Sequence, residues 1–337
     1  MARSVLVPVE VDLALPPGGS TLHGLEGTSM GTSWSARLML PPGASGAVLR
    51  AALQAELDEI VAQMSHWEAD SLLSRYNAAP AGSWHALPPQ FFDVAAYALQ
   101  VRDDTKGAYD PAGGALVNLW GFGASGRYDQ SGFYAPDALR IDAVLARRAQ
   151  GEPLLDRAGR RLLQPGGALL DFSSVAKGYA VDSLARCLEW HGVRHYLVEA
   201  GGELRGSGVK GNGEPWWVEI EGVPDAQDSA GQAVVALHGL AVATSGDYRR
   251  YFSHGARRAS HTLDPRSGYP VANDVASVTV LAATCMAADA LSTALTVMGP
   301  QAGIAFARER GIAARFLVRG PGGLAETTSD AWQALLQ

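Results

Sequence analysis

The segment Asp171-Phe-Ser-Ser-Val-Ala-Lys-Gly-Tyr-Ala-Val-Asp182 lies just before a helical pattern and carries an acid at each end with one lysine between them. Within it, Ser174 and Lys177 have the spacing of the Ser-x-x-Lys motif, in which a lysine can activate a nucleophilic serine. That motif is accompanied by Lys-Thr-Gly and Ser-Asp-Asn in the enzymes that use it, and this sequence contains neither tripeptide. Two interpretations are therefore open, an acyl hydrolase with a serine nucleophile and a different enzyme with the same residues in other roles.

The composition restricts the classes of protein to consider. A chain of 337 residues with 47% hydrophobic and 18% charged residues can build one large domain or two modest ones around a buried core. A formal net charge of -7 argues against a nucleic-acid-binding surface, which needs a dense basic patch. No uninterrupted apolar run approaches the length of a membrane span. We therefore expect neither nucleic-acid binding nor a membrane-spanning segment.

Cysteine usage and the N-terminus bear on the compartment. Cys187 and Cys285 are far apart in apolar, helix-like contexts, so we expect them to be buried as small hydrophobic residues rather than paired or bound to a metal. Glu10 and Asp12 interrupt the apolar core that a signal peptide needs, and no cysteine for lipid attachment is near. The sequence as written predicts a cytoplasmic protein, although an exported protein whose leader had been removed would look the same.

The apolar spacing predicts both strands and helices without a regular alternation of the two. An extended segment over residues 1–22, with a turn cluster at 16–20, precedes one domain over 23–337. The predicted strands cover residues 31–40, 195–200, 216–220, 234–237, 240–243 and 277–281, and the predicted helices cover 48–64, 88–102 and 284–298. Irregular, site-forming structure is expected over 107–136. This mixture favours an α+β fold with a mixed or largely antiparallel sheet and packed helices.

The stretch Gly206-Ser-Gly-Val-Lys-Gly211 fits the G-x-G-x-x-G pattern of dinucleotide-binding folds. A turn and another strand follow it, whereas a pyrophosphate site needs the N-terminus of a helix there. We therefore predict a hairpin loop at this position.

Seven segments resemble, in the same order, the motifs of the ApbE family, the FAD:protein FMN transferases. Besides 171–182, these segments are Gly27–Trp34, Met64–Asn77, Ala108–Gly123, Ala243–Phe252, Ser260–Pro270 and Ala288–Leu295. The resemblance implies an ApbE-like, T-fold-like architecture. It also implies that FMN is transferred from FAD to a Thr or Ser hydroxyl of a target flavoprotein with the help of Mg²⁺, and that AMP is released.

A cation site is expected on the last predicted helix. Asp289 and Thr293 are four residues apart, which places their side chains on one face of a helix. A carboxylate and a hydroxyl are hard oxygen ligands that suit Mg²⁺ better than zinc. Spacing alone also allows Asp289 to cap or pair on a solvent face and Thr293 to pack. The resemblance adds a backbone oxygen around Ser174 and leaves coordination positions for pyrophosphate oxygens.

The resemblance also implies a set of residues that contact the flavin nucleotide. They are Met30, Trp67, Ala108, Tyr109, Asp110, Asp171, Lys177 and Leu263. The sequence leaves two of them open to simpler explanations, because a large aromatic such as Trp67 is commonly buried for packing and Lys177 could form a surface salt bridge.

His261 is the candidate general base, because imidazole titrates near neutral pH and could accept the proton of the acceptor hydroxyl. Asp264, three residues further on, could orient its ring. A purely structural histidine is the alternative at this position.

Two further functions fit the same residues: a Mg²⁺-dependent FAD pyrophosphatase, in which water replaces the protein hydroxyl, and a non-catalytic FAD-binding protein. The family modifies proteins that carry a short Ser/Thr-Gly-Ala-Ser/Thr-like acceptor motif. In this chain Ser45-Gly-Ala-Val48 comes nearest to that motif and lacks the final hydroxyl, so we do not expect self-modification.

Overall fold

A computed structural model describes residues 4–12, 14–224, 232–255 and 257–337 of the chain. The chain divides into two compact units, each assembled from separated stretches of sequence. Unit 1 consists of Met1–Glu59, Lys177–Gly246 and Asp274–Gln337, and unit 2 consists of Ile60–Ala176 and Asp247–Asn273. The proposed division of the chain at residue 22 stays a prediction.

The described residues form short and long strands in both units. In chain order the strands are β1 (Ser4–Leu6), β2 (Thr21–Ser29), β3 (Thr32–Leu40), β4 (Ser83–Ala86), β5 (Leu154–Asp156), β6 (Arg161–Gln164), β7 (Tyr196–Ala200), β8 (Glu203–Ser207), β9 (Trp216–Ile220), β10 (Ala233–Leu237), β11 (Leu240–Gly246), β12 (Tyr251–His254), β13 (Arg257–Ser260), β14 (Leu263–Asp264), β15 (Tyr269–Pro270), β16 (Val275–Ala282), β17 (Ala313–Gly320) and β18 (Gly323–Thr328). The helices are α1 (Gly46–Met64), α2 (Leu72–Asn77), α3 (Pro89–Asp104), α4 (Gly114–Leu119), α5 (Ala138–Arg148), α6 (Ala176–Trp190), α7 (Cys285–Glu309) and α8 (Asp330–Gln333).

The main sheet of unit 1 has eight strands in the order β18-β17-β16-β11-β8-β7-β3-β2. Every neighbouring pair in it is antiparallel. Side chains alternate between the two faces of a strand, and in β7 this buries Tyr196, Val198 and Ala200. Together with the packed helices, the sheet confirms the expected α+β fold with largely antiparallel strands.

Helix α7 is the main core helix of unit 1. Its Leu295 and Ile304 pack in one apolar cluster with Val278, Val280 and Phe316 of the sheet. By length and composition α7 could cross a membrane, but 61% of its most apolar 18-residue window is buried inside the protein. The sequence places the end of this helix at Gly299, where the backbone does leave helical geometry (φ 77°, ψ 175°), although a second helical segment continues to Glu309.

A second, three-stranded sheet of unit 1 has the order β1-β10-β9. β1 runs parallel to β10, and β9 runs antiparallel to it. Val235 and Leu237 of this sheet pack with Val242 and Leu281 of the main sheet and with Trp332 of α8. This layer covers one part of the large sheet with apolar side chains.

Unit 2 combines a three-stranded antiparallel sheet, β4-β6-β5, with the hairpins β12–β13 and β14–β15. The stretch expected to be irregular, residues 107–136, includes the short helix α4. A core of unit 2 is formed by Leu116, Trp120, Phe122, Ile141 and Leu263. The indole N–H of Trp120 donates to the backbone oxygen of Gly268 (2.8 Å), which ties α4 to the β14–β15 hairpin.

The structure confirms the predicted strands and helices, with ends that differ from the sequence-based bounds by a few residues apart from the longer α7. The G-x-G-x-x-G stretch begins in β8 and leads to β9, which lies in the other sheet of unit 1. The turn between them is closed by an isolated antiparallel bridge between Val209 and Pro215, and no helix follows it. Cys187 and Cys285 are buried and unpaired, as expected.

Candidate functional site

Asp289 lies near the start of α7, inside unit 1, and is only 4% exposed. Its Oδ2 accepts a hydrogen bond of 3.0 Å from the backbone N–H of Gly178 in α6. A Cβ atom at Gly178 would lie 2.8 Å from Cβ of Asp289 and closer still to the backbone oxygen of Cys285. Glycine is therefore required at this position for α6 to reach the Asp289 carboxylate.

A second carboxylate, Asp182, fixes the N-terminus of α7. Its Oδ1 accepts the N–H of Cys285 (3.0 Å) and its Oδ2 accepts the N–H of Met286 (2.9 Å). These are two of the backbone donors that a helix leaves unsatisfied at its first turn. Arg205 also pairs with Asp182 at 2.5 Å. The sequence alone assigns no role to Asp182; the signal for one is an acid four residues after Gly178, which places the two residues on one face of a helix.

Lys177 forms a partly buried ion pair. Its Nζ donates to Oε1 of Glu203 at 2.5 Å, and the Glu203 side chain is 5% exposed while that of Lys177 is 33% exposed. The sequence allows Lys177 to form a surface salt bridge. The structure does contain a salt bridge of Lys177, but its partner, Glu203, is buried. Burial raises the pKa of Asp289 to about 7, against an opposing effect of Lys177 and with a further rise from Glu203.

Thr293 stands one turn after Asp289 on α7, as the sequence predicts. Its Oγ1 lies 3.0 Å from Oγ of Ser245 in β11, and the same Ser245 hydroxyl lies 2.9 Å from Oγ of Ser292. Within the described part of the chain, no three His, Cys, Asp or Glu side chains cluster as a metal site. A cation held by α7 would therefore depend on Asp289 together with hydroxyl and backbone oxygens, the donor set that suits Mg²⁺.

Met30 occupies the tip of the β2–β3 hairpin, in unit 1. Ser29 and Thr32 are paired, so Met30 and Gly31 form a two-residue turn, with φ of 52° and 71° respectively. Two successive positive φ angles define a type I′ turn, which favours Asn-Gly and strains a larger residue such as methionine by about 1–3 kcal/mol. The long β2–β3 register holds this conformation, which the sequence pattern did not reveal.

Asp171 and Ser174 lie in unit 2, and both side chains form hydrogen bonds there. Oγ of Ser174 donates to the hydroxyl of Tyr109 at 3.3 Å. Oδ1 of Asp171 accepts the N–H (2.8 Å) and hydroxyl (2.5 Å) of Ser173 and lies 3.7 Å from Nδ1 of His66. The hydroxyl of Ser174 thus bonds to Tyr109, and the Lys177 ammonium bonds to Glu203.

A cavity of about 270 Å³ within unit 2 opens beside Asp171. Its polar lining includes His66, Ser74, Asn77, Asn118 and Asp171. Asn77 is held by two hydrogen bonds to the backbone of Leu170, at 2.7 and 2.9 Å. Asn77 and Asn118 lie inside two of the motif segments, Met64–Asn77 and Ala108–Gly123, but no sequence pattern marks them as site residues.

Trp67 is 46% exposed, so it is not a core residue. Its ring lies 5.1 Å from the ring of His66, and the guanidinium of Arg127 stands 5.7 Å from its centroid. An exposed indole between two polar groups presents a flat apolar surface on which a ring ligand could stack.

The segment Ala108–Asp110 follows α3 and its side chains are engaged in the fold. Ala108 and Tyr109 are buried. The Asp110 carboxylate forms an ion pair with Arg148 and accepts the N–H of Ala112 at 2.8 Å. Leu263 is buried in the unit 2 core. These positions can offer backbone groups to a ligand, and their contact with flavin stays a prediction.

His261 follows β13 in unit 2 and is partly exposed. Its Nδ1 lies 3.1 Å from the backbone oxygen of Arg250. Because a carbonyl oxygen only accepts, this bond places the proton of the neutral imidazole on Nδ1 and the lone pair on Nε2. The Asp264 carboxylate accepts three hydrogen bonds of 2.9 Å from Arg266, and its role in orienting His261 stays a prediction.

The chain is similar to known proteins over most of its length. The model of the ApbE family matches residues 30–316. An FAD:protein FMN transferase of Klebsiella pneumoniae is 38% identical over 304 residues, which cover 89% of this chain and 85% of the relative. A relative of the same name from Haemophilus influenzae is 32% identical and covers 99% of this chain and 97% of its own length.

Solved structures give the same result. The apo form of the Pseudomonas stutzeri flavinyl transferase ApbE has 39% sequence identity and a TM-score of 0.85, with coverage of 94% of this chain and 97% of that chain. The flavin transferase ApbE from Vibrio cholerae has 35% identity and a TM-score of 0.84, with coverage of 94% and 100%. The chain therefore belongs to the ApbE family of flavin transferases.

Proposed function

We propose that this protein transfers the FMN moiety of FAD to a Thr or Ser hydroxyl of a target flavoprotein, with Mg²⁺ as cofactor and AMP as the second product. Family membership supports flavin transfer. The observation that carries the finer proposal is the buried Asp289 carboxylate, aimed by Gly178 and followed one turn later by the Thr293 hydroxyl.

The residues around Asp289 fit a divalent cation. A buried carboxylate with a raised pKa is costly to ionise, and a bound cation offsets that cost. Asp289 and Thr293 would hold the ion, and a backbone oxygen around Ser174 is proposed as a further ligand. When bound, Mg²⁺ would neutralise negative charge on the pyrophosphate and favour departure of the leaving oxygen.

The chain's own residues have separate tasks in this proposal. Trp67 and Met30 hold the ring system of FAD, and the Lys177 ammonium attracts the phosphate that is transferred. The Nε2 lone pair of His261 accepts the proton of the acceptor hydroxyl, with the ring held in place by the Arg250 carbonyl.

The bonds of the reaction balance without a further reactant. The acceptor oxygen forms a new bond to the FMN-side phosphorus, and the bond between that phosphorus and the bridging oxygen breaks. AMP leaves with the bridging oxygen, the hydroxyl proton passes to His261, and FMN stays attached to the acceptor through a phosphoester.

The experiment incubates the protein with FAD and Mg²⁺, with and without a carrier that bears a Ser/Thr-Gly-Ala-Ser/Thr-like motif, and separates the nucleotides by chromatography. The transferase predicts that AMP appears in proportion to carrier and that free FMN does not. AMP with an equal amount of free FMN, independent of carrier, would identify a pyrophosphatase. Recovery of intact FAD after long incubation would identify a binding protein.

A further inference from the structure

Glu203, the first residue of β8, is a buried acid that the sequence did not single out. Its residue exposure is 4%, and its Oε1 accepts the Lys177 ammonium at 2.5 Å. Its other oxygen, Oε2, is fully buried and has no hydrogen-bond partner among the described residues. A buried carboxylate oxygen without a partner costs free energy, which calls for a compensating role.

The charges around Glu203 do not balance. Lys177 pairs with Glu203, and the next residue, Gly178, donates its backbone N–H to the buried Asp289 carboxylate, so one turn of α6 contacts both acids. When all three are ionised, two carboxylates share one ammonium and one negative charge is left over. Because buried charge is costly unless it is paired, this arrangement favours the binding of a cation.

The backbone beside the pair is closely packed against both side chains. Gly201, just before β8, has φ of 65°, and a Cβ atom there would lie 3.3 Å from Oε2 of Glu203 and 3.5 Å from Cδ of Lys177. The same atom would lie 3.2 Å from Cγ2 of Thr32, two residues after Met30. Glycine at this point keeps side-chain atoms away from the unpartnered oxygen.

We propose that Glu203 is a positioning residue of the cation site, which holds the Lys177 ammonium in place and adds the second negative charge that draws the divalent cation to Asp289. The proposal rests on the proposed function for the identity of the site. It does not need Glu203 to touch the ion. Groups that surround metal ligands in this way commonly change metal affinity by about 10–100-fold when they are replaced.

The test is a Mn²⁺ titration of the nucleotide-free protein, in which free Mn²⁺ is followed by electron paramagnetic resonance. Glu203→Gln keeps the size of the side chain and removes its charge, and we expect it to weaken Mn²⁺ binding at least about tenfold. Glu203→Asp keeps the charge, and we expect it to recover part of the affinity. We also expect Glu203→Gln to raise KM for FAD more than it lowers kcat, because Lys177 is no longer held.

A matched control is Glu326→Gln, which removes the carboxylate that pairs with the buried Arg315 at 2.7 Å in β17–β18. We expect this variant to bind Mn²⁺ as the wild type does. Wild-type affinity in folded Glu203→Gln would overturn the proposal, as would a wild-type protein that binds no Mn²⁺. Weakened Mn²⁺ binding in a protein that transfers no FMN would instead overturn the proposed function alone.

Discussion

The backbone N–H of Gly178 donates a hydrogen bond of 3.0 Å to Oδ2 of Asp289. This bond joins the first turn of α6 to the first turns of α7, and the side chain of Asp182 adds two hydrogen bonds to the start of α7. The part of the segment from Gly178 to Asp182 therefore acts mainly as a support. It fixes the direction of a buried carboxylate, and the proposed cation site depends on that direction.

Gly178→Ala should disturb this support. The new Cβ would overlap with Cβ of Asp289 and with the Cys285 backbone, which forces α6 and α7 apart. We expect a loss of about 1–3 kcal/mol in the free energy of unfolding, measured by urea denaturation, and weaker Mg²⁺ binding. Gly24→Ala is the control, because a Cβ there meets nothing within 4 Å and its cost should stay within about 0.5 kcal/mol. Equal stability of the two variants would contradict the close-packing argument.

The pKa of Asp289 predicts how pH affects the metal-free protein. The folded-state pKa of about 7 lies above the ordinary 3.8, so folding favours the protonated carboxyl. The stability that this group contributes is present below pH 3.8 and is lost as pH rises through 7. Urea denaturation of wild type and Asp289→Asn across this range should show that the variant lacks this loss.

Mg²⁺ should reverse the effect, because the cation binds the ionised carboxylate. We expect Mg²⁺ to raise Tm of the wild type more at pH 8 than at pH 6, and to leave Tm of Asp289→Asn almost unchanged at both. Asp289→Ala should abolish FMN transfer and retain part of the FAD binding. Full transfer activity in Asp289→Ala would exclude Asp289 as a metal ligand.

His261→Ala should lower kcat by about 10²-fold or more and change KM for FAD little, because the imidazole is proposed to act on the acceptor proton. The control is His191→Ala, since Nδ1 of His191 also bonds to a backbone carbonyl, that of Cys187, at 2.8 Å. Steady-state transfer rates across pH test both variants. A pH–rate profile that is the same with and without His261 would remove it as the base.

Trp67→Ala should weaken FAD binding by up to about tenfold, the amount that one lost ring contact accounts for. The matched control is Trp190→Ala, because Trp190 is 89% exposed at the end of α6 and lies outside the proposed site. Titration of flavin fluorescence measures both affinities. If the two substitutions weaken binding equally, the stacking role of Trp67 is wrong.

The elements with regular apolar spacing could be predicted from the sequence. The alternation along β9 predicts a strand, and the two glycines after β7 mark its end. The run of alanine and leucine and the Gly299-Pro300 break predict α7. β2 was not recognised. β2 is an edge strand, and most of its side chains are exposed to solvent. Its sequence therefore lacks the alternation of apolar and polar residues that marks a half-buried strand.

In the candidate site, motif order suggests which residues take part but does not reveal their partners. Asp289 and Thr293 follow from helical spacing, whereas the buried position of Glu203 depends on a strand that follows two glycines with φ of 65° and 100°. The Lys177–Glu203 pair joins residues 26 positions apart, which no local pattern reveals. The sequence also does not indicate that the Trp67 side chain is exposed, since an indole at this position could equally be buried.

The most direct test of the central claim is the intact mass of a carrier protein after incubation with this enzyme, FAD and Mg²⁺. Two carriers are compared, one with the acceptor Ser or Thr intact and one in which that residue is replaced by alanine. We predict that the first gains the mass of one FMN, less water, and that the second gains nothing. An unmodified first carrier, or the same gain on both, would contradict transfer of FMN to that hydroxyl.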